Sequence, residues 1–177
     1  MMAMIRVLVS ACLLGAKVRY HGGSAACPSD IIARWLDEGR VVPICPEVAG
    51  GLATPRAPAE IDLGADGSTV WRGRAGVRTS TGDDVTNAFV AGAAEAMRLA
   101  AEQDIRIAVL KEGSPSCGSS FTYDGSFRGV RVAGQGVAAA ALVGAGIAVF
   151  SEEELDEADR LICTLDGEAE NRSRSAD

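Results

Sequence analysis

Short apolar segments followed closely by a cysteine recur along the 177-residue chain. Three such pairs lie far apart in sequence: residues 5–10 with Cys12, residues 41–44 with Cys45, and residues 105–110 with Cys117. Each segment has the length and apolar content of a strand in a parallel sheet. The carboxyl ends of such strands line one edge of the sheet, where ligands bind, so this pattern can bring three distant cysteines together.

Helical segments separate the predicted strands. The clearest helix begins after Asp83 or Asp84, and apolar residues three or four positions apart mark its buried face: Val85, Phe89, Ala93, Ala96 and Ala100. Other helices are predicted over residues 30–37, 136–144 and 152–163, with a last strand over 147–150. This alternation predicts an α/β fold with one open, mainly parallel sheet flanked by helices, of the Rossmann-like kind.

Two segments depart from the alternation. Residues 46–60 contain three prolines and the pair Gly50 and Gly51, which predicts an irregular loop long enough to be functional. Residues 61–77 alternate weakly around an Asp-Gly pair at Asp66, which predicts a small β-hairpin insertion.

The net charge of −7 is concentrated at the end of the chain. Residues 1–151 contain 14 acidic and 14 basic residues, whereas residues 152–177 contain 10 and 3. We predict a single α/β domain over residues 1–165 and a disordered acidic tail over residues 166–177. The neutral body is compatible with an anionic ligand and lacks the basic run of a duplex nucleic-acid footprint.

Several classes of protein are disfavoured. No segment approaches the ~18–20 apolar residues of a membrane span. The box from Val9 to Cys12 resembles a bacterial lipoprotein signal, but only about six apolar residues precede the cysteine, against ~7–15 in a secretory segment. We therefore expect a cytoplasmic protein, whose cysteines more often bind metals or act in catalysis than form disulfides.

Neither a dinucleotide-binding G-x-G-x-x-G motif nor a Walker motif is present, which disfavours a Rossmann-type cofactor enzyme.

The residues alone leave two interpretations of Cys12, Cys45 and Cys117. They are either ordinary buried cysteines or ligands of a shared metal or iron–sulfur centre with one free coordination position. The paired C-x₂₋₄-C spacing of most zinc sites is absent. His21, the only histidine, is either a fourth ligand or a solvated side chain.

The other two cysteines fit structural roles. Cys163, beside Leu161 and Ile162, is expected on the apolar face of the last helix. Cys27 precedes Pro28 in a turn and is expected to be neither ligand nor nucleophile.

Other polar residues cluster at the same predicted sheet edge. They are Glu47, Arg56, Glu60, Lys111, Glu112 and Ser114. A carboxylate near a bound substrate can serve as general base or acid. For Arg56 and Glu60 the alternative is an ordinary salt bridge within the loop.

Eight segments together resemble the thiouracil desulfidase family, over about residues 5–151. They are residues 10–15 (SACLLG), 18–20 (VRY), 45–52 (CPEVAGGL), 54–56 (TPR), 58–61 (PAEI), 82–86 (GDDVT), 114–118 (SPSCG) and 123–127 (YDGSF). The chain departs from the family at His21, where aspartate usually follows the tyrosine.

The resemblance implies an enzyme with a [4Fe–4S] cluster held by three cysteines, leaving one iron open. Cys12, Cys45 and Cys117 occupy the positions of those ligands, and Glu47 and Ser114 those of the assisting glutamate and serine. The implied reaction replaces the sulfur of a thiolated pyrimidine with oxygen from water and gives uracil and hydrosulfide.

Two questions stay open at this point. The second hypothesis for function is a zinc- or thiol-based binding or stress-response module without turnover. For the substrate, the neutral body favours a free base or a mononucleotide over tRNA, since phosphate binding depends mainly on lysine and arginine. The sequence does not indicate the oligomeric state or whether a 2-thio or a 4-thio group is preferred.

Overall fold

The computed structural model describes residues 4–175, and within them the chain forms eight strands and six α-helices. In chain order these are β1 (Val7–Ser10), α1 (Asp30–Asp37), β2 (Val41–Ile44), α2 (Pro46–Ala49), β3 (Ala59–Ile61), α3 (Gly67–Trp71), β4 (Val77–Thr79), α4 (Thr86–Glu102), β5 (Ile107–Leu110), β6 (Phe121–Tyr123), β7 (Arg131–Ala133), α5 (Val137–Gly144), β8 (Ala148–Ser151) and α6 (Leu155–Arg174). A one-turn 3₁₀ helix, Ala11–Leu14, follows β1 directly.

The central sheet has four parallel strands in the order β2-β1-β5-β8. Val7 of β1 pairs with Val41 of β2 on one side and with Ile107 of β5 on the other. The two inner strands are completely buried. Pro43 is accommodated because β2 lies at the edge, where a missing N–H leaves no inner ladder unpaired. The prediction of an open parallel sheet is confirmed.

Helices cover both faces of the sheet, as predicted. Alternate residues of β1 and β5 point to opposite sides, so each strand contributes to two apolar clusters. On one face α1 and α6 pack with Trp35, Ile32, Ala158 and Ile162 against Val7, Val9, Ile107 and Val109. On the other face α4 and α5 pack with Ala96, Ala100, Ala139 and Leu142 against Leu8, Ala108 and Leu110.

The predicted hairpin insertion is present, but its connection differs from the expectation. Strands β3 and β4 pair antiparallel, with Ala59 opposite Thr79. The Asp-Gly pair between them does not form a tight turn. Asp66 instead caps α3 by accepting a hydrogen bond from the Thr69 N–H at 3.0 Å. Aspartate is favoured at both turns and helix N-caps, so the dipeptide alone could not distinguish them.

The segment over residues 46–60 is more ordered than predicted, since it contains α2 and the start of β3. Pro46 occupies the first turn of α2, where its missing N–H has no helical partner to lose. Helix α2 lies directly against α4, and a Cβ on Gly92 would fall 2.0 Å from the Pro46 carbonyl oxygen. This close approach fixes the position of α2 at the end of β2.

The last helix extends beyond the predicted domain end at residue 165. Helix α6 continues to Arg174, which includes most of the segment predicted as a disordered tail, and residues 176–177 of that segment lie outside the described residues. Asp166 is tied to the body, because it accepts hydrogen bonds from the Ile5 N–H at 2.9 Å and from Arg40 at 3.1 Å. These partners lie more than 120 positions away, so composition at the end of the chain could not reveal them. Within residues 4–175 no α-helix is both long and apolar enough to cross a bilayer.

Candidate functional site

Cys12, Cys45 and Cys117 line a single cavity of about 350 Å³. The cavity lies beyond the carboxyl ends of β1, β2 and β5, at the sheet edge where parallel α/β folds bind ligands. Its volume is within the range of small-molecule sites, roughly 300–1,000 Å³. The convergence of the three cysteines predicted from the strand ends is therefore present.

Cys12 and Cys45 are placed by the first residues after their strands. Cys12 lies in the 3₁₀ helix that follows β1, and its carbonyl oxygen accepts hydrogen bonds from the N–H groups of Gly15 and Ala25. Cys45 directly follows β2 and occupies the N-cap position of α2, but its side chain does not cap the helix. The Cys45 sulfur lies 4.0 Å from the carbonyl oxygen of Val18.

The loop that carries Cys117 is organised by Ser114. The Ser114 hydroxyl oxygen accepts hydrogen bonds from the N–H groups of Ser116 and Cys117, both at 3.1 Å. Behind the loop, the first N–H groups of α5 donate to the carbonyl oxygens of Pro115 and Ser116. The Cys117 loop thus caps α5, and α5 in turn supports the loop.

Glu112 holds the same loop from its other side. Its carboxylate is buried and accepts hydrogen bonds from the backbone N–H groups of Gly113, Ser119, Ser120 and Phe121 and from both serine hydroxyls. Burial raises the pKa of Glu112, but the hydrogen bonds outweigh this effect and hold the pKa below its ordinary value. Glu112 is therefore a charged anchor inside the loop and is not one of the residues that line the cavity.

Burial is the main influence on the pKa of two of the three thiols. It raises the pKa of Cys12 above the ordinary thiol value and that of Cys117 well above it, and the neighbouring Cys45 adds to the effect in both cases. Arg19 and Lys111 act in the opposite direction on Cys12. A metal centre bound by Cys12 and Cys117 would displace the protons of these thiols, because a thiol that coordinates a metal is deprotonated.

Glu47 is held beside the cysteines by Arg56. The Glu47 Oε2 atom accepts hydrogen bonds from Arg56 Nη2 at 2.7 Å and Nε at 2.8 Å. The other oxygen, Oε1, lies 3.4 Å from the hydroxyl of Ser114. The two predicted assisting residues are therefore adjacent. The suggested salt bridge between Arg56 and Glu60 is wrong, because Arg56 pairs with Glu47.

Lys111 and Arg19 supply positive charge to the cavity lining in different ways. Lys111 is paired, since its ammonium group donates to Glu152 and to the Glu112 carbonyl oxygen. Arg19 makes no ion pair within residues 4–175 and lies 6.0 Å from the ring centre of Tyr20.

Three aromatic or basic residues of the lining, Arg19, Tyr20 and Tyr123, were not singled out from the sequence as site residues. Arg19 and Tyr20 lie in the VRY segment, and Tyr123 opens the YDGSF segment. Both segments contributed to the family resemblance, and this was the available signal for the three residues.

The remaining cysteines and His21 lie outside the cavity lining. Cys27 is partly buried, and Cys163 is exposed, so the prediction that Cys163 faces the core is wrong. Ile162 fills the buried position of α6 instead. The last helix turns by about 100° per residue, so neighbouring Cys163 and Ile162 face different directions.

His21 is exposed and accepts a hydrogen bond from the Gly23 N–H at 3.1 Å.

The cavity lining contains the kind of donor that an iron–sulfur cluster requires, namely cysteine thiols. Within residues 4–175 no three His, Cys, Asp or Glu side chains are arranged around one ion position. A cluster binds each cysteine through a different iron, so its thiolates surround a larger centre than one ion. Three cysteines around one cavity match that requirement.

Three cysteines, a carboxylate held by an arginine and a serine thus surround one cavity at the carboxyl edge of a parallel α/β sheet, which is where enzymes of this fold class have their active sites. The chain belongs to the 2-thiouracil desulfurase family, whose family model matches residues 7–154. The family and the fold class predicted from the sequence are thereby confirmed.

Two known proteins are similar over most of their length. The uncharacterized protein YbbK of Bacillus subtilis (strain 168) is 46% identical over 151 residues, which cover 85% of this chain and 98% of YbbK. A solved structure described as the [4Fe–4S]-dependent thiouracil desulfidase TudS is 46% identical, with a TM-score of 0.82. That similarity covers 90% of this chain and 99% of TudS.

Proposed function

We propose that this protein is a [4Fe–4S]-dependent desulfidase that removes sulfur from thiouracil-type pyrimidines by hydrolysis. The observation that carries the proposal is that Cys12, Cys45 and Cys117 line one cavity together with Glu47 and Ser114. The family membership and the similarity to TudS support the same reaction. Water supplies the oxygen that replaces sulfur on the pyrimidine carbon, and the sulfur leaves as hydrosulfide, so no external electron donor is required.

Cys12, Cys45 and Cys117 would hold the cluster. When bound, it would supply an open iron that acts as a Lewis acid toward the soft thiocarbonyl sulfur of the substrate. Among residues 4–175 no fourth cysteine lines the cavity, which is consistent with a coordination position left for substrate.

Glu47 is the residue we assign to proton transfer from the attacking water. Both hydrogen bonds from Arg56 go to Oε2, so Oε1 remains able to accept a proton. A glutamate side chain is ionised at neutral pH and can accept a proton directly. Ser114 lies next to Oε1, where its hydroxyl can orient the pyrimidine or relay a proton.

For the substrate we propose a free base or a mononucleotide. Arg19, which has no ion-pair partner in residues 4–175, is available for an anionic substituent. A tRNA would require a wide basic surface, whereas residues 1–151 have equal numbers of acidic and basic residues. A cytoplasmic location completes the proposal, because the free thiols suit a reducing compartment.

The decisive experiment is an anaerobic sulfide-release assay. The reconstituted protein should release sulfide from 2- or 4-thiouracil or from a thiolated nucleotide, and the oxygen-containing product should appear in equal amount. Thiolated tRNA serves as the comparison substrate. Stoichiometric iron and sulfide in the protein without release of sulfide from any of these compounds would contradict the proposal.

The alternative of a zinc- or thiol-based module without turnover has less support. A closed zinc site needs four ligands, and His21, Cys27 and Cys163 are all outside the cavity lining. One zinc per chain after anaerobic purification, in place of iron, would favour that alternative.

A further inference from the structure

The hairpin formed by β6 and β7 is held by two carboxylates at two different points. At its start, Glu112 accepts hydrogen bonds from the N–H groups that lead into β6. At its turn, Glu60 Oε2 accepts hydrogen bonds from Gly125 at 2.8 Å and from Phe127 at 3.0 Å. Between the two anchors, Tyr123 is one of the residues that line the cavity.

The backbone of the turn is shaped around the Glu60 oxygen. Phe127 has a φ of +57°, in the left-handed region that bulky residues seldom adopt. Such conformations persist where the surrounding structure determines them. Gly125 has a φ of +89°, and a Cβ at this position would lie 2.5 Å from the Ile61 carbonyl oxygen. The turn therefore sits directly on the end of β3, the strand that carries Glu60.

Hydrogen bonds from backbone N–H groups stabilise the negative charge of Glu60. Within residues 4–175 Glu60 makes no ion pair, and Arg56, the nearby candidate, is committed to Glu47. Converging backbone N–H groups form a small concave site for an anion, which the Glu60 oxygen fills. Because Glu60 also lies in the cavity lining, it connects the hairpin turn to the wall of the site.

We propose that Glu60 is a positioning residue that fixes the β6–β7 hairpin, and that the hairpin sets the room available to substituents on the substrate ring. Glu60 acts through Tyr123 and Gly129, the two hairpin residues in the lining. The role in substrate selection rests on the proposed function, whereas the anchoring of the hairpin does not.

The anchoring is tested by hydrogen–deuterium exchange on the protein purified without iron. In Glu60→Ala the N–H groups of Gly125 and Phe127 should exchange at least about tenfold faster, since each loses a charge-assisted hydrogen bond. Glu60→Gln should restore most of the protection, because an amide oxygen can still accept both bonds. The control is Asp62→Ala, whose carboxylate holds Gly76 and Arg78. Unchanged exchange in Glu60→Ala would overturn the anchoring.

Substrate selection is tested on the reconstituted enzyme with 4-thiouracil and its nucleoside monophosphate. In Glu60→Ala the kcat/KM for the nucleotide, divided by that for 4-thiouracil, should rise about tenfold. The change should arise mainly through KM, with iron content unchanged. An unchanged ratio despite faster exchange would overturn the role in selection. If the wild type releases no sulfide, the proposed function fails. The inference about Glu60 is then tested by calorimetry on the iron-free wild type and the iron-free Glu60→Ala variant, with uracil and its nucleotide as ligands. The ratio of the two Kd values should change in favour of the nucleotide in the variant.

Discussion

Arg56 binds Glu47 through one carboxylate oxygen only and leaves the other facing Ser114. Nη2 and Nε of Arg56 both donate to Oε2, at 2.7 and 2.8 Å. Arg56 is itself fixed, because Nη2 also donates to the Val18 carbonyl oxygen at 2.9 Å and Nη1 to that of Ala53 at 3.1 Å. This arrangement orients a largely buried carboxylate without occupying the oxygen that faces the serine.

Glu47→Gln should keep the cluster and substrate binding but lose activity by about 10²–10⁴-fold, the usual contribution of a general acid–base group. The measurement is single-turnover sulfide release alongside iron content. Near-wild-type turnover with a full cluster would remove Glu47 as the base and pass the assignment to Ser114.

Arg56→Lys should lower kcat by roughly tenfold, because lysine keeps the charge but cannot donate two hydrogen bonds in the fixed geometry of a guanidinium group. Its effect should largely vanish in the Glu47→Gln background, since the two residues act as one unit. Additive losses in the double variant would show that Arg56 acts independently of Glu47.

The cysteines should divide cleanly into two groups. Cys12→Ala, Cys45→Ala and Cys117→Ala should each lower the iron and sulfide retained after anaerobic reconstitution, because each removes one thiolate ligand. Cys27→Ala and Cys163→Ala are the matched controls and should retain a full cluster. A full cluster in any of the first three variants would exclude that cysteine from the ligand set.

The stability contributed by Glu112 should depend on pH with a defined sign. Its pKa is lower in the folded protein than in the unfolded chain, so the charged form favours folding. The contribution is fully present above the unfolded value of about 4.3 and is lost as the pH falls through the folded value. At pH 7 the isosteric Glu112→Gln should lower the free energy of unfolding by about 1–3 kcal/mol. Urea unfolding should show this difference narrowing below about pH 4, and a constant difference would contradict the assignment.

The sequence predicted the parts of the site that depend on regular structure. Cys12, Cys45 and Cys117 follow buried strands, and the parallel sheet brings strand ends together whatever their separation in sequence. The pairing of Arg56 with Glu47 could not be predicted in this way, because it depends on where a short helix and a loop meet. The β6–β7 hairpin was missed because its strands have three residues each, too few to show an alternating pattern.

Gly136 provides a test of how closely the Cys117 loop must fit against α5. A Cβ on Gly136 would lie 2.4 Å from the carbonyl carbon of Ser116 and 2.8 Å from the Cys117 nitrogen, so alanine cannot be accommodated without moving the loop. Overpacking of this kind typically costs about 1–3 kcal/mol. Gly136→Ala should therefore lower both the free energy of unfolding and the iron retained after reconstitution.

The matched control is Gly144→Ala at the other end of α5. Apart from its chain neighbours and its own helix backbone, no atom of residues 4–175 lies within 4 Å of a Cβ at Gly144, and alanine is the better helix former by up to about 1 kcal/mol. This variant should be as stable as the wild type or more so, with a full cluster. Thermal unfolding and iron content are measured for both variants. The comparison separates the effect of a substitution beside the Cys117 loop from that of a substitution away from it. If Gly136→Ala retained wild-type stability and iron, the loop would not require the close approach that the structure shows, and Cys117 would owe its position to Ser114 and Glu112 alone.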